Sequence, residues 1–307
     1  MYKKYKNLKQ ASVLSAILFS PIAFASCGKH VGSDDLGMVA ALAALSPSGA
    51  SSSPVSITFQ VADDNTTTAV DAFSCAGTMT VATRSLTPRD LRFWVSELKL
   101  VKADLTTVDV TLDQDGVWQY RNAALLDWET GDGSCNASGT TGTHKVITGS
   151  APSGDYIGVQ FTLGLPQSLN MLRSSDSPAP LNTGAMYWSW TGGYKFTKVE
   201  FLDGATATSL HVGSTGCTAY APGTVEPVTC AKAFRGQILV TDPAGFDPTS
   251  QRIVLNLNTL FLNFATATGG SCMPGDATAS CQNVLTNMGL NFNDGTSVQG
   301  TNSFEIR

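Results

Sequence analysis

From residue 55 onward the sequence keeps changing polarity at every second position. Val55-Ser56-Ile57-Thr58-Phe59-Gln60-Val61 sets its apolar side chains on one side of an extended chain and its polar ones on the other. That period of two suits a half-buried strand and does not line one face of a helix. The same reading applies at residues 91–101, 108–112, 117–120, 156–163, 186–190, 195–201, 209–212, 237–241 and 253–257. Gly, Pro, Asn and Asp punctuate the intervals, and Asp115-Gly116 falls between two runs as a hairpin turn signal. Residues 87–90 and 169–173 read as short helical turns. No repeat of a solenoid or propeller is present. Many short strands punctuated in this way predict an all-β fold, an antiparallel β-sandwich with immunoglobulin-like layering and long loops.

Charge narrows the function classes. Only 14% of the 307 residues are Asp, Glu, Lys or Arg, and the formal net charge is -5. Such a surface has no basic field for a phosphate backbone, which excludes nucleic acid as a partner. The chain contains three histidines, His30, His144 and His211, so any site built on imidazole has few candidates.

The first 26 residues read as an export signal. Lys3, Lys4, Lys6 and Lys9 precede an apolar run over 11–24 that is too short to span a bilayer. Two cleavage readings compete. Ala23-Phe24-Ala25 suits signal peptidase, while Phe24-Ala25-Ser26-Cys27 resembles a lipobox with Cys27 lipidated. Cysteine arithmetic favours the second, because removing Cys27 from the seven leaves an even six, and an unpaired thiol is awkward in an oxidising compartment. Cys27 is thus the expected lipid anchor of a protein facing the periplasm or cell surface, with a soluble periplasmic protein as the alternative. Residues 27–54, rich in Ser, Gly and Ala, read as a tether, and 55–307 as the folded domain. Among the six later cysteines, Cys217 with Cys230 and Cys272 with Cys281 are expected as local staples, which leaves Cys75 with Cys135.

Motifs of catalysis are missing. The sequence has no G-x-S-x-G elbow, H-E-x-x-H helix, phosphate-binding loop or dinucleotide fingerprint. Asp113-Gln114-Asp115-Gly116 matches only the start of a calcium loop and is better read as turn chemistry. The expectation is a binding protein, not an enzyme. One class of such proteins is a surface adhesin or carbohydrate-binding module, in which exposed aromatics stack on sugar rings.

The informative stretch is Met186-Tyr187-Trp188-Ser189-Trp190-Thr191-Gly192-Gly193-Tyr194-Lys195-Phe196. Alternation assigns Met186, Trp188 and Trp190 to one face, and Gly192-Gly193 lets the chain reverse so that Tyr194 and Phe196 return beside them. Together with His211-Val212-Gly213-Ser214-Thr215-Gly216-Cys217, and upstream Gly116-Val117-Trp118-Gln119, Leu125-Leu126-Asp127, Gly133-Ser134-Cys135, Phe161-Thr162-Leu163-Gly164-Leu165-Pro166 and Pro180-Leu181-Asn182, these blocks follow one family's order. The chain resembles the MbnP-like copper proteins, also called metallo-mystery-pair four-Cys-motif proteins, from about residue 55 to 257.

The resemblance implies an exported β-rich protein encoded beside a di-haem MauG-like peroxidase that oxidises a tryptophan to kynurenine, which then binds copper with histidine. The chemistry suits these residue types. An intact indole N–H donates a hydrogen bond but has no available lone pair, whereas kynurenine carries an aryl amine that can join imidazole on copper. The resemblance marks Trp190 first and Trp188 second for oxidation, and His211 as the imidazole ligand. Where relatives often have a histidine after Leu-Asn, this chain reads Leu169-Asn170-Met171. Met171 either substitutes as a soft thioether suited to Cu(I), or the site is altered or lost. His144 is a further candidate ligand from another loop.

Overall fold

The computed structural model describes residues 51–63, 71–81, 83–135, 139–189, 192–218, 229–264, 270–298 and 303–307. The expected export signal, Cys27, all but the last residues of the tether, and Trp190 lie outside them. No helix among the described residues is long and apolar enough to cross a membrane.

The alternating run that opens the domain is a strand, Ser52–Ala62, starting three residues before the point at which alternation becomes visible. It lies at the middle of a five-stranded sheet, between Ile253–Asn256 and Val146–Pro152. The other large sheet is organised by one long strand, Arg84–Val101. Along its first half that strand pairs with Thr197–Asp203, and along its second with Gly158–Leu163. On its opposite edge Arg92 to Ser96 pair with Ala123–Asp127.

The two sheets face each other across one core. Ile57, Phe59 and Val61 from one meet Leu91, Phe93 and Phe161 from the other, all at most 1% exposed. Phe59 stands edge-on to Phe93 and Phe161, with ring centroids 6.3 and 5.6 Å away, and Phe304 closes the cluster at 5.8 and 5.3 Å from the same two rings. Such edge-to-face contacts add to the burial of large apolar area. The fold is all-β and sandwich-like, stapled by Cys75–Cys135, Cys217–Cys230 and Cys272–Cys281.

Several details depart from expectation. Pairing is not purely antiparallel: Ser52–Ala62 runs parallel to Ile253–Asn256, and Thr206–Val212 parallel to Ser271–Cys272. Residues 87–90 form no helical turn but continue the long strand. Pro88, which has no N–H to give the ladder, is accommodated where the register shifts, with Glu200 opposite Asp90 and Phe201 opposite Pro88. Asp115-Gly116 turns the chain between sheets, not within a hairpin: Thr111–Leu112 pairs with Val146–Pro152, whereas Gln119–Tyr120 pairs with Ala123–Asp127. The turn is held by Asp115 Oδ1, which accepts from the backbone N–H groups of Val117, Trp118 and Gln119 at 2.7–2.9 Å. Finally, Ala279–Asn287 is a helix, capped by the Thr278 hydroxyl, whose buried Cys281, Val284 and Leu285 pack on the core.

Candidate metal centre

The face of the long-strand sheet turned away from the main core positions the candidate residues. Leu91 and Phe93, Val199 and Phe201, Leu210 and Val212, and Leu126 and Trp128 all point into that core. Alternation therefore sends Asp90, Arg92, Trp94, Lys198, Glu200, His211, Asp127 and Glu129 to the other side. Part of this second face is apolar, where Trp94, Leu125, Leu165, Leu169, Met186, Tyr194 and Phe196 form a smaller buried cluster. The rest is a polar row. His144 pairs with Asp127, Asp127 with Arg92, Arg92 with Lys198, and Lys198 with His211.

That row separates the two candidate histidines. His144 and His211 stand four strand spacings apart, roughly 19 Å at about 4.8 Å per step, too far to share one metal ion. His144 is committed elsewhere: its Nδ1 lies 2.7 Å from Leu125 O, and its ring stacks on Trp118 at 5.4 Å with a 4° interplanar angle. Burial lowers its pKa below the ordinary histidine value.

His211 has a different setting. It is 9% exposed, and its Nε2 stands 2.7 Å from Glu200 Oε1. Its Nδ1 is buried with no hydrogen-bond partner among the described residues. Lys198 Nζ approaches the same Glu200 oxygen at 3.4 Å and Asp90 Oδ2 at 2.5 Å. Burial alone would raise the pKa of Glu200, but the His211 hydrogen bond and the Lys198 charge outweigh it and hold the pKa at about 2. Further along the row, Arg92 is fully buried. Its Nε donates to Asp90 Oδ1 at 2.9 Å, and Nη1 stands 3.2 Å from Glu129 Oε1 without the alignment of a hydrogen bond. Burial pushes the Asp127 carboxyl up to about 8 despite Arg92, with the Glu129 and Asp90 charges adding to the rise.

The tryptophan segment folds over this face as a short hairpin. Gly184–Met186 is a 3-10 turn, so Met186 is the buried entry to the strand and not part of it. Tyr187 then pairs with Tyr194, and Ser189 with Gly193. Gly193 is required twice over: its φ is +69°, and a Cβ there would stand 2.4 Å from Asn170 Oδ1. Asn170 Oδ1 accepts from Tyr194 N at 2.8 Å, and Asn170 Nδ2 lies 3.6 Å from the Met171 sulfur, so Met171 flanks the hairpin. Trp188 is half-buried, its six-membered ring occupying the space a side chain at Gly213 would need, with Cζ3 2.8 Å from the Cβ position. Gly213 lies two residues after His211, so Trp188 covers the same side of the strand.

The structure thus brings Trp188 next to the His211 strand and Met171 next to the return limb of the hairpin, while His144 stands apart. Sequence reasoning missed Glu200 and Lys198. Their signal was present in Thr197-Lys198-Val199-Glu200-Phe201, where polar residues alternate with core residues. Among the described residues no group of three or more His, Cys, Asp or Glu side chains could hold a metal ion. A copper site here would draw on His211 and on ligands of another kind. His211 fits such a role. A metal-bound imidazole ordinarily gives its second ring N–H to a carboxylate, as His211 does to Glu200, and the free nitrogen has no competing partner.

No curated protein matches the chain. Among solved structures, MbnP from Methylosinus trichosporium superposes with a TM-score of 0.67 at 26% identity, over 83% of this chain and 98% of that one. The MbnP family model matches residues 52–274, a span that holds most of the sandwich, the tryptophan hairpin and His211. This chain belongs to the MbnP family.

Proposed function

We propose that the protein is an exported copper-binding protein whose centre forms at the tryptophan hairpin, with His211 as imidazole ligand and Trp188 or Trp190 converted to kynurenine by a di-haem MauG-like peroxidase. The observation that carries the reading is the buried, unpartnered Nδ1 of His211 on the face that Trp188 covers. Oxidation turns an indole with no available lone pair into an aryl amine, which supplies the nitrogen this donor set lacks. Met171 adds a thioether that favours Cu(I). The lysine-rich leader and Cys27 support export and a lipid anchor, with the membrane reached through that anchor alone.

A carbohydrate-binding adhesin is less well supported. Among the described residues the exposed large hydrophobics are Leu105, Val117, Leu172, Leu262 and Met273, none of them aromatic, so they offer no platform for a sugar ring. Co-expression with the peroxidase tests the proposal. The tryptic peptide holding Trp188 and Trp190 gains about 4 Da, one carbon lost and one oxygen gained, a covalent change set by the modification alone. An unchanged mass for that peptide after processing contradicts the kynurenine reading.

A further inference from the structure

We infer that Glu200 is a positioning residue that fixes His211 as the Nε2–H tautomer, so that Nδ1 is the nitrogen offered to metal; the inference rests on the reading of His211 as a ligand. A carboxylate only accepts hydrogen bonds, and Glu200 Oε1 stands 2.7 Å from His211 Nε2. The proton therefore sits on Nε2. A proton on Nδ1 instead would leave a buried N–H with no acceptor, because that atom has no partner among the described residues. The neutral ring with a bare Nδ1 is the form that leaves no donor stranded.

The carboxylate is itself held. Glu200 and His211 belong to paired strands, Thr197–Asp203 and Thr206–Val212, whose register sets Lys198 opposite His211 and Ser209 opposite Glu200. Lys198 bridges Glu200 and Asp90, and Asp90 is gripped by the fully buried Arg92. The carboxylate that orients the imidazole is thus tied by charge to the centre of the sheet. A loop-borne partner would leave the ring free to turn over; this one is built into the ladder.

The test combines ring-nitrogen NMR of the metal-free, full-length protein with copper titration of the peroxidase-processed protein, in wild type, Glu200→Gln, Glu200→Ala and His211→Ala. The metal-free wild type should show His211 as a single Nε2–H tautomer. Glu200→Gln keeps a side-chain carbonyl acceptor and should keep that tautomer and nearly all the affinity. Glu200→Ala should give mixed tautomers and weaken copper binding by about 10- to 100-fold, the range for loss of an outer partner of a ligating histidine. An Nδ1–H tautomer in the wild type overturns the inference, even if the alanine variant fails to fold. So does a Glu200→Ala protein that binds copper as tightly as wild type while His211→Ala loses binding, and in that case His211 remains a ligand. Unchanged binding in His211→Ala removes the underlying site as well.

Discussion

Gly213 packs tightly against the tryptophan hairpin. An added methyl would stand 2.5 Å from Tyr194 O and 2.8 Å from Trp188 Cζ3, and the first of these atoms belongs to backbone that cannot swing aside. Gly213→Ala is expected to cost about 1–3 kcal/mol, the usual penalty of overpacking, and to displace the Trp188 ring. Urea unfolding and near-ultraviolet circular dichroism read the two effects, and a variant with wild-type stability and spectrum contradicts the contact. Asp127 gives a second test, in pH. Its carboxyl is lifted from 3.8 to about 8 in the folded protein, chiefly by burial. Across that interval the native state keeps a proton the unfolded chain has released, so this residue makes stability fall as pH rises. His144, with a lowered pKa, contributes the opposite slope near its ordinary value, so the informative quantity is the difference between wild type and Asp127→Asn. The asparagine variant should lose less stability between pH 4 and 8 than wild type, and identical slopes contradict the buried, protonated carboxyl.

At the level of elements, the disulfides differ in what they restrain. Cys75–Cys135 closes a separation of 60 residues and Cys272–Cys281 one of 9. Loop-closure entropy assigns about 4 kcal/mol to the first and about 3 kcal/mol to the second. Replacing each pair with alanines should therefore lower the unfolding free energy more for Cys75 and Cys135, and the reverse order contradicts an entropic origin. The pairings Cys217–Cys230 and Cys272–Cys281 were legible because cysteines close in sequence staple loops, and Cys75–Cys135 followed by subtraction. Strand positions were legible where large apolar residues alternate with polar ones, as at residues 55–61 and 237–241, and not at Val146–Pro152, whose inward positions include Gly149 and Ala151. Among the elements missed were the strands Ala123–Asp127 and Val146–Pro152 and the helix at Ala279–Asn287, although in the helix Cys281, Val284, Leu285 and Met288 recur at helical spacing behind a Thr278 cap. Pro88 misled in the other direction, since a proline reads as a turn until a partner strand with a register shift makes room for it.

Across the fold, the candidate residues are legible in the sequence one by one, but their grouping is not. His144 and His211 look equivalent in a list of histidines. Only the register of four adjacent strands and the bridge from Asp127 to His144, set by tertiary pairing, puts them at opposite ends of a row. The same register brings Glu200 to His211, which no local motif announces. The proposed copper centre depends on His211 together with a ligand the unmodified chain lacks. Titrating one copper into protein made without the peroxidase, into processed protein and into processed His211→Ala measures that dependence. Tight binding should appear in the processed wild type alone, with the mass gain of about 4 Da retained in the variant because ligation follows oxidation. Tight binding by the unmodified protein, or by the processed His211→Ala variant, would contradict it.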